Sequence, residues 1–145
     1  MRVQAVSLNA VEVHSIATAR AGWRPGWDLA GVVERAASDG SGPQVGTRVV
    51  GIGDPRSGTW AEQVAVPTRM LATLPDEVTF AQAATLPAAG LTALYALEKG
   101  GFLLNRRVLV TGASGGVGHF VCQLTRHAGA YVVAAVRRPE RVADI

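Results

Sequence analysis

The rhythm of hydrophobic and polar positions changes along the chain, and each change predicts a different kind of element. Arg2 to Val6 alternates polar and apolar, the pattern of a half-buried strand, and Asn9 to His14 falls where that strand runs into a loop. Residues 15–26 turn polar and end in the loop GWRPG; WDLAGVVERA at 27–36 resumes as a strand. A glycine-punctuated turn then leads into a short strand at Thr47 to Val50, and GTWAEQVAV at 58–66 alternates again, so the first half of the chain predicts a small β-barrel.

Near Pro75 to Thr79 the period shifts from two towards 3.6. Thr79 and Gln82 match the S/T-x-x-E/Q capping box and open an alanine-rich helix up to Pro87. A second helix is expected from about Ala88 to Lys99, with Gly100 and Gly101 as its stop. Val108 to Thr111 is a short apolar, β-branched run, GASGGVG at 112–118 breaks it, and Val117, Phe120, Val121, Leu124 and Ala128 recur at helical spacing. Gly129 is placed to end that helix, and Tyr131 to Val136 is again strand-like. Arg138, Pro139 and Glu140 read as the start of a further helix. The fold class is α/β plus β: a barrel-like part over residues 1–77, then a βαβ unit within residues 78–145.

Composition narrows the classes of function. The chain has 145 residues, 48% of them hydrophobic and 17% charged, with 17 glycines, which suits a globular core and not a disordered tail. The net charge is +3, yet no basic run is interleaved with aromatic residues, so nucleic acid is not an expected partner. No apolar run approaches the roughly 20 residues of a membrane span. Cys122 is the single cysteine, which excludes an internal disulfide and a multi-cysteine zinc site and points to a reducing compartment, with the cytoplasm as the expectation. His14, His119 and His127 are isolated from one another, so no metal site is expected; Cys122 reads as core, and His119 and His127 as surface.

The chemistry gathers at the glycine turn. Ala113, Gly115 and Gly118 occupy the three positions of G-x-G-x-x-G, with alanine for the first glycine, between a strand and a helix. Such a turn lets the backbone approach a pyrophosphate while the helix N-terminus offers unpaired N–H groups. About 20 positions on, where an acidic residue would bind the ribose hydroxyl of NAD, the chain has Arg137 followed by Arg138. Two guanidinium groups suit the 2′-phosphate of NADP.

With those residues in view the chain resembles the medium-chain dehydrogenase/reductase superfamily, in its zinc-free quinone oxidoreductase-like branch. The resemblance rests on AVSLN at 5–9, PGWDLAGVV at 25–33, VGTRVVG at 45–51, GTWAEQVAVP at 58–67, AATLPAAGLTALYAL at 83–97 and VLVTGASGGVG at 108–118. It implies a partial GroES-like barrel followed by the first βαβ unit of a Rossmann domain, with substrate and nicotinamide meeting in a cleft. It also implies further barrel strands before Met1 and further Rossmann elements after Ile145, so that the chain reads as truncated at both ends. Zinc-dependent relatives carry a cysteine near the position of Val11 and a GHE motif where this chain has Gly26, Trp27 and Asp28; neither is present.

The resemblance assigns Asn9 to the nicotinamide and substrate, Thr92 to the cofactor, and Ser114, Gly115, Gly116 and Val117 to the pyrophosphate turn. His14 falls where some relatives have a pocket tyrosine. The implied activity is NADPH-dependent transfer of hydride to a small-molecule quinone or enone, with Asn9, and with it His14, hydrogen-bonding the substrate carbonyl; a homo-oligomer is the expected assembly. Two alternatives stand beside it, an enoyl reductase of polyketide synthesis and a non-catalytic binding or assembly fragment.

Overall fold

The opening alternation becomes β1 (Arg2–Ala5), which pairs antiparallel with β2 (Asp28–Val32). β2 pairs with β3 (Arg48–Ile52), and β3 with β4 (Leu71–Thr73), giving a four-stranded antiparallel sheet in the order β1-β2-β3-β4. The computed structural model describes residues 1–54 and 57–145. Its backbone divides into two units, Met1–Ala88 and Ala89–Ile145.

In the first unit, β1 comes close to β2 over Gly31, where a Cβ would run into the Arg2 carbonyl oxygen. The register slips between Val3 and Ala5. The outer edge of β1 is met by the 62–64 stretch, with Val3 N–H donating to the Glu62 carbonyl at 2.8 Å and Val64 N–H to that of Met1 at 3.1 Å. The expected strand at 58–66 is thus reduced to one bridge, Arg2 to Gln63, because the stretch follows β1 for only a few residues. β4 has no counterpart among the sequence expectations; its three residues are too few to show a period.

Two helices complete this unit. The expected loop after β1 is in fact a helix, α1 (Ala10–Ile16), with Asn9 as its N-cap. α2 (Phe80–Ala84) starts at the expected capping box: Thr79 Oγ1 accepts from Gln82 N–H at 3.2 Å, and Gln82 Oε1 accepts from Thr79 N–H at 3.0 Å. Its Ala83 and Ala84 pack with Ala30 and Leu74, flanked by Val50, Val78 and Phe80. This helix packs on the sheet within the first unit. Arg48 adds a clamp from β3, donating to the carbonyls of Pro75 at 2.8 Å and Val78 at 2.6 Å while its guanidinium lies 4.7 Å from the centre of the Phe80 ring.

α3 (Pro87–Glu98) follows and stops at Gly100 and Gly101, whose N–H groups return to the Leu97 and Glu98 carbonyls. β5 (Arg107–Thr111), α4 (Gly116–His127) and β6 (Tyr131–Ala135) then form a βαβ unit. The strands are parallel, in register from Arg107 with Tyr131 to Thr111 with Ala135. α4 covers one face through Cys122 and Val121, which pack with Val108, Val110, Ala113, Val132 and Val136. Cys122 is a free thiol buried in this cluster. On these two strands Leu109, Tyr131 and Val133 are exposed. After Arg138 the chain forms a 3₁₀ turn, Pro139–Asp144, in place of the regular helix start expected there.

Candidate functional site

The first unit builds its polar centre from two buried carboxylates and one amide. Glu12 lies at the third position of α1 and is 2% exposed; Asp28 opens β2 and is fully buried. Carboxylates are rarely buried unless every oxygen finds a donor, and here each does. Glu12 Oε1 accepts from the Trp27 N–H at 2.6 Å, and Oε2 from the Asn9 N–H at 2.8 Å and from Asn9 Nδ2 at 2.9 Å. Asp28 Oδ1 accepts from the Ala88 N–H at 2.6 Å, and Oδ2 from Asn9 Nδ2 at 2.7 Å. Thr59, also buried, donates its hydroxyl to the Asp28 backbone carbonyl at 2.9 Å.

This geometry orients Asn9. An amide oxygen turned towards Glu12 Oε2 and Asp28 Oδ2 would face two acceptors, so the nitrogen belongs there and both of its hydrogens are taken. The Asn9 oxygen then faces the Glu12 N–H, completing a capping box at the start of α1. Burial holds the Asp28 carboxyl above its ordinary value of 3.8, the nearby Glu12 pushes the same way, and the bonds from Asn9 and Ala88 pull against both.

His14 is five positions on from Asn9, about 1.4 helical turns, and is exposed in the last turn of α1. It is not placed on the face that Asn9 and Glu12 share. Among the described residues, no three His, Cys, Asp or Glu side chains gather in a metal-binding group, and no helix is long and apolar enough to cross a membrane.

In the second unit the glycine turn follows β5 directly. Gly112 has φ +64, a conformation that suits glycine, and Gly115 is the N-cap of α4. The first helical bond of α4 runs from His119 N–H to the Gly115 carbonyl, so the N–H groups of Gly116, Val117 and Gly118 precede any intrahelical acceptor. Gly115 has no side chain with which to cap them. Gly115, Gly116 and Val117 are exposed, whereas Gly118 is buried. A Cβ at Gly118 would strike the Gly112 carbonyl oxygen, so that glycine serves the close packing of α4 against the turn.

Because β5 and β6 are parallel and in register, their C-terminal ends share one edge. Ser114 to Val117 leave one strand there, and the exposed Arg137 and Arg138 leave the other. Arg141 joins them from the 3₁₀ turn, its Nη2 donating to the Ser114 carbonyl at 3.4 Å. Open N–H groups, a glycine-lined backbone and guanidinium groups at one edge fit the pyrophosphate and 2′-phosphate of NADP. Thr92 lies on α3 at an exposed position.

Sequence reasoning missed Glu12, Asp28 and Arg141. For the first a signal was present, since Asn9-x-x-Glu12 has the same capping spacing as Thr79-x-x-Gln82. Asp28 and Arg141 act through partners far along the chain, which no local pattern reveals.

Comparison with known proteins agrees with this architecture. Residues 1–76 match the alcohol dehydrogenase GroES-like domain. A 2-methylene-furan-3-one reductase of Solanum lycopersicum is 42% identical over 119 residues, which cover 77% of this chain and 31% of the reductase. A highly reducing polyketide synthase of Arthrinium phaeospermum is 35% identical over 119 residues, covering 80% of this chain and 5% of the synthase. The quinone oxidoreductase of Thermus thermophilus, solved also with NADPH, superposes with a TM-score of 0.79 at 34% identity, over 99% of this chain and 46% of its own. The chain spans less than half the length of each of these proteins. It belongs to the medium-chain dehydrogenase/reductase superfamily, in the quinone oxidoreductase-like branch.

Proposed function

We propose that the chain is part of an NADPH-dependent oxidoreductase that reduces a quinone or an α,β-unsaturated carbonyl compound without zinc. The observation that carries this reading is the shared edge of β5 and β6, where the open turn 114–117 and Arg137 and Arg138 come together. The named activities of the tomato reductase and the Thermus oxidoreductase support the substrate class. When bound, NADPH supplies the hydride. The chain's own residues bind and orient: the backbone of Ser114, Gly115, Gly116 and Val117 faces the pyrophosphate, and the two arginines neutralise the 2′-phosphate. By resemblance Thr92 is assigned to the cofactor and Asn9 to the nicotinamide and substrate end, with Asn9 held rigidly by two carboxylates.

Titration of NADPH and NADH against the protein and its Arg137→Asp variant tests the cofactor assignment. The expected result is a preference for NADPH that falls about tenfold or more in the variant, as loss of a charge-assisted phosphate contact requires. An unchanged preference removes the 2′-phosphate assignment.

A second reading, an enoyl reductase within polyketide synthesis, is favoured by the likeness to the Arthrinium synthase. Turnover of carrier-bound enoyl thioesters with no turnover of free enones would select it.

A further inference from the structure

The second unit is basic at both ends of its strands, and the dinucleotide accounts for only one of them. From Gly100 to Pro139 the sequence has five arginines and no aspartate or glutamate. Arg137 and Arg138 follow β6 on the side of the glycine turn. Arg106 and Arg107 lie at the opposite edge, where β5 begins, because Arg107 is in register with Tyr131 at the start of β6. Two backbone bonds tie the loop before β5 to the turn before β6: Asn105 N–H donates to the Gly129 carbonyl at 2.9 Å, and Tyr131 N–H to that of Arg106 at 2.7 Å. Arg126, in the last turn of α4, reaches the same edge, since its carbonyl accepts from the Gly129 N–H at 3.0 Å; its Nη1 donates to the Ile145 carbonyl at 3.1 Å. All three arginines are exposed. Among the described residues, Arg106 and Arg107 have no ion-pair partner.

This edge is also apolar. Phe102 is 75% exposed, Tyr131 73% and Leu104 49%. Leu104 lies against Gly129, where a Cβ would meet its Cδ1. Large apolar side chains that stand in water beside guanidinium groups suit a surface that lies on a charged interface: the apolar groups leave water while the cations stay at the level of the anions.

We propose that the edge formed by residues 100–107 and 126–131 docks on an anionic lipid bilayer, with Phe102, Leu104 and Tyr131 entering the boundary between headgroups and acyl chains and the three arginines meeting lipid phosphates. A soluble polyanion answers the arginines but leaves the aliphatic Leu104 in water, whereas a bilayer answers both. Docking is peripheral, since no helix among the described residues is long and apolar enough to cross a membrane. It does not depend on the activity proposed above, and it leaves the edge with Arg137 and Arg138 to a dinucleotide.

Co-sedimentation of the whole chain with vesicles of phosphatidylcholine, alone or mixed with phosphatidylglycerol, tests the surface. The protein is expected to pellet with the mixed vesicles and not with phosphatidylcholine alone, and to be released as salt is raised. The double variant Arg106→Glu, Arg107→Glu is expected to bind mixed vesicles about tenfold or more weakly, as loss of two cations near a charged surface requires. Phe102→Ser is expected to weaken binding by about the same factor, the loss of one buried ring. The double variant Arg137→Glu, Arg138→Glu makes the same change of net charge at the other edge and is expected to bind as the wild type does. If it loses as much as the first pair, net charge explains the binding and the proposal is overturned. Wild-type affinity in Phe102→Ser overturns it too, as does a protein that binds polyuridylic acid or polyglutamate but no vesicles.

Hydrogen exchange of the wild type tests the same surface without a variant that must fold. Mixed vesicles are expected to slow exchange in residues 100–107 and 126–131, and slowing confined to other segments would overturn the assignment.

Discussion

At the scale of single residues, the chemistry of the first unit depends on how Asp28 is buried. Its carboxyl is held above the ordinary 3.8 by burial first and by Glu12 after it. The folded protein therefore binds this proton more tightly than the unfolded chain does. The stabilisation is fully present below the ordinary carboxylate value and is lost as pH rises through the raised folded value. Other carboxylates have their own slopes, so the informative quantity is the unfolding free energy of wild type minus that of Asp28→Asn. That difference is expected to fall as pH climbs through this window in a series of denaturant melts; a rise would contradict the burial argument. Little of this was legible in the sequence. Asn9 was singled out by resemblance, but its orientation depends on Glu12 from the next turn and on Asp28 from the next strand. Pairings of that range follow from the fold and leave no periodicity behind.

At the scale of elements, the βαβ unit was read closely. β5, the turn, α4 and β6 fall where the apolar runs and glycines put them, because each is longer than a few residues and has a clear period. α1 was missed because its seven residues make only two turns and follow a strand without a break in polarity; Val11, Val13 and Ile16 are exposed, so no buried stripe marks it. The two glycines that open α4 differ in what they tolerate. A Cβ at Gly118 meets the Gly112 carbonyl oxygen and the Ala113 backbone, whereas one at Gly116 has nothing nearer than Ala89 Cβ at 3.9 Å. Gly118→Ala is expected to cost about 2 kcal/mol. Gly116→Ala should leave stability unchanged or raise it by up to ~1 kcal/mol, since alanine suits a helix better. Thermal melts of the two variants compare them directly, and equal losses would count against close packing as the reason for Gly118.

At the scale of the whole molecule, charge is unevenly shared. Residues 1–88 carry seven lysines and arginines against eight carboxylates, while residues 89–145 carry seven against three. The net +3 therefore belongs to the second unit, where Arg137, Arg138 and Arg141 follow β6. A dinucleotide with an extra phosphate should feel that field more strongly. Affinity for NADPH is expected to fall more steeply with ionic strength than affinity for NADH, as isothermal titration over a range of salt concentrations would record; parallel slopes would separate the arginines from the phosphate. Counting about 20 positions along the chain singles out Arg137 and Arg138, and the parallel register brings the end of β6 to the same edge as the end of β5.

The bonds of Asp28 constrain how this sequence can drift. One carboxyl group both holds the first turn of α3 through Ala88 and fixes Asn9, so a change that suits one partner disturbs the other. Positions 9, 12 and 28 then form an epistatic trio, in which the fitness of each residue is defined only with the other two in place. An intermediate with one of them altered crosses a valley, and functional variation at the site should arrive as joint replacements.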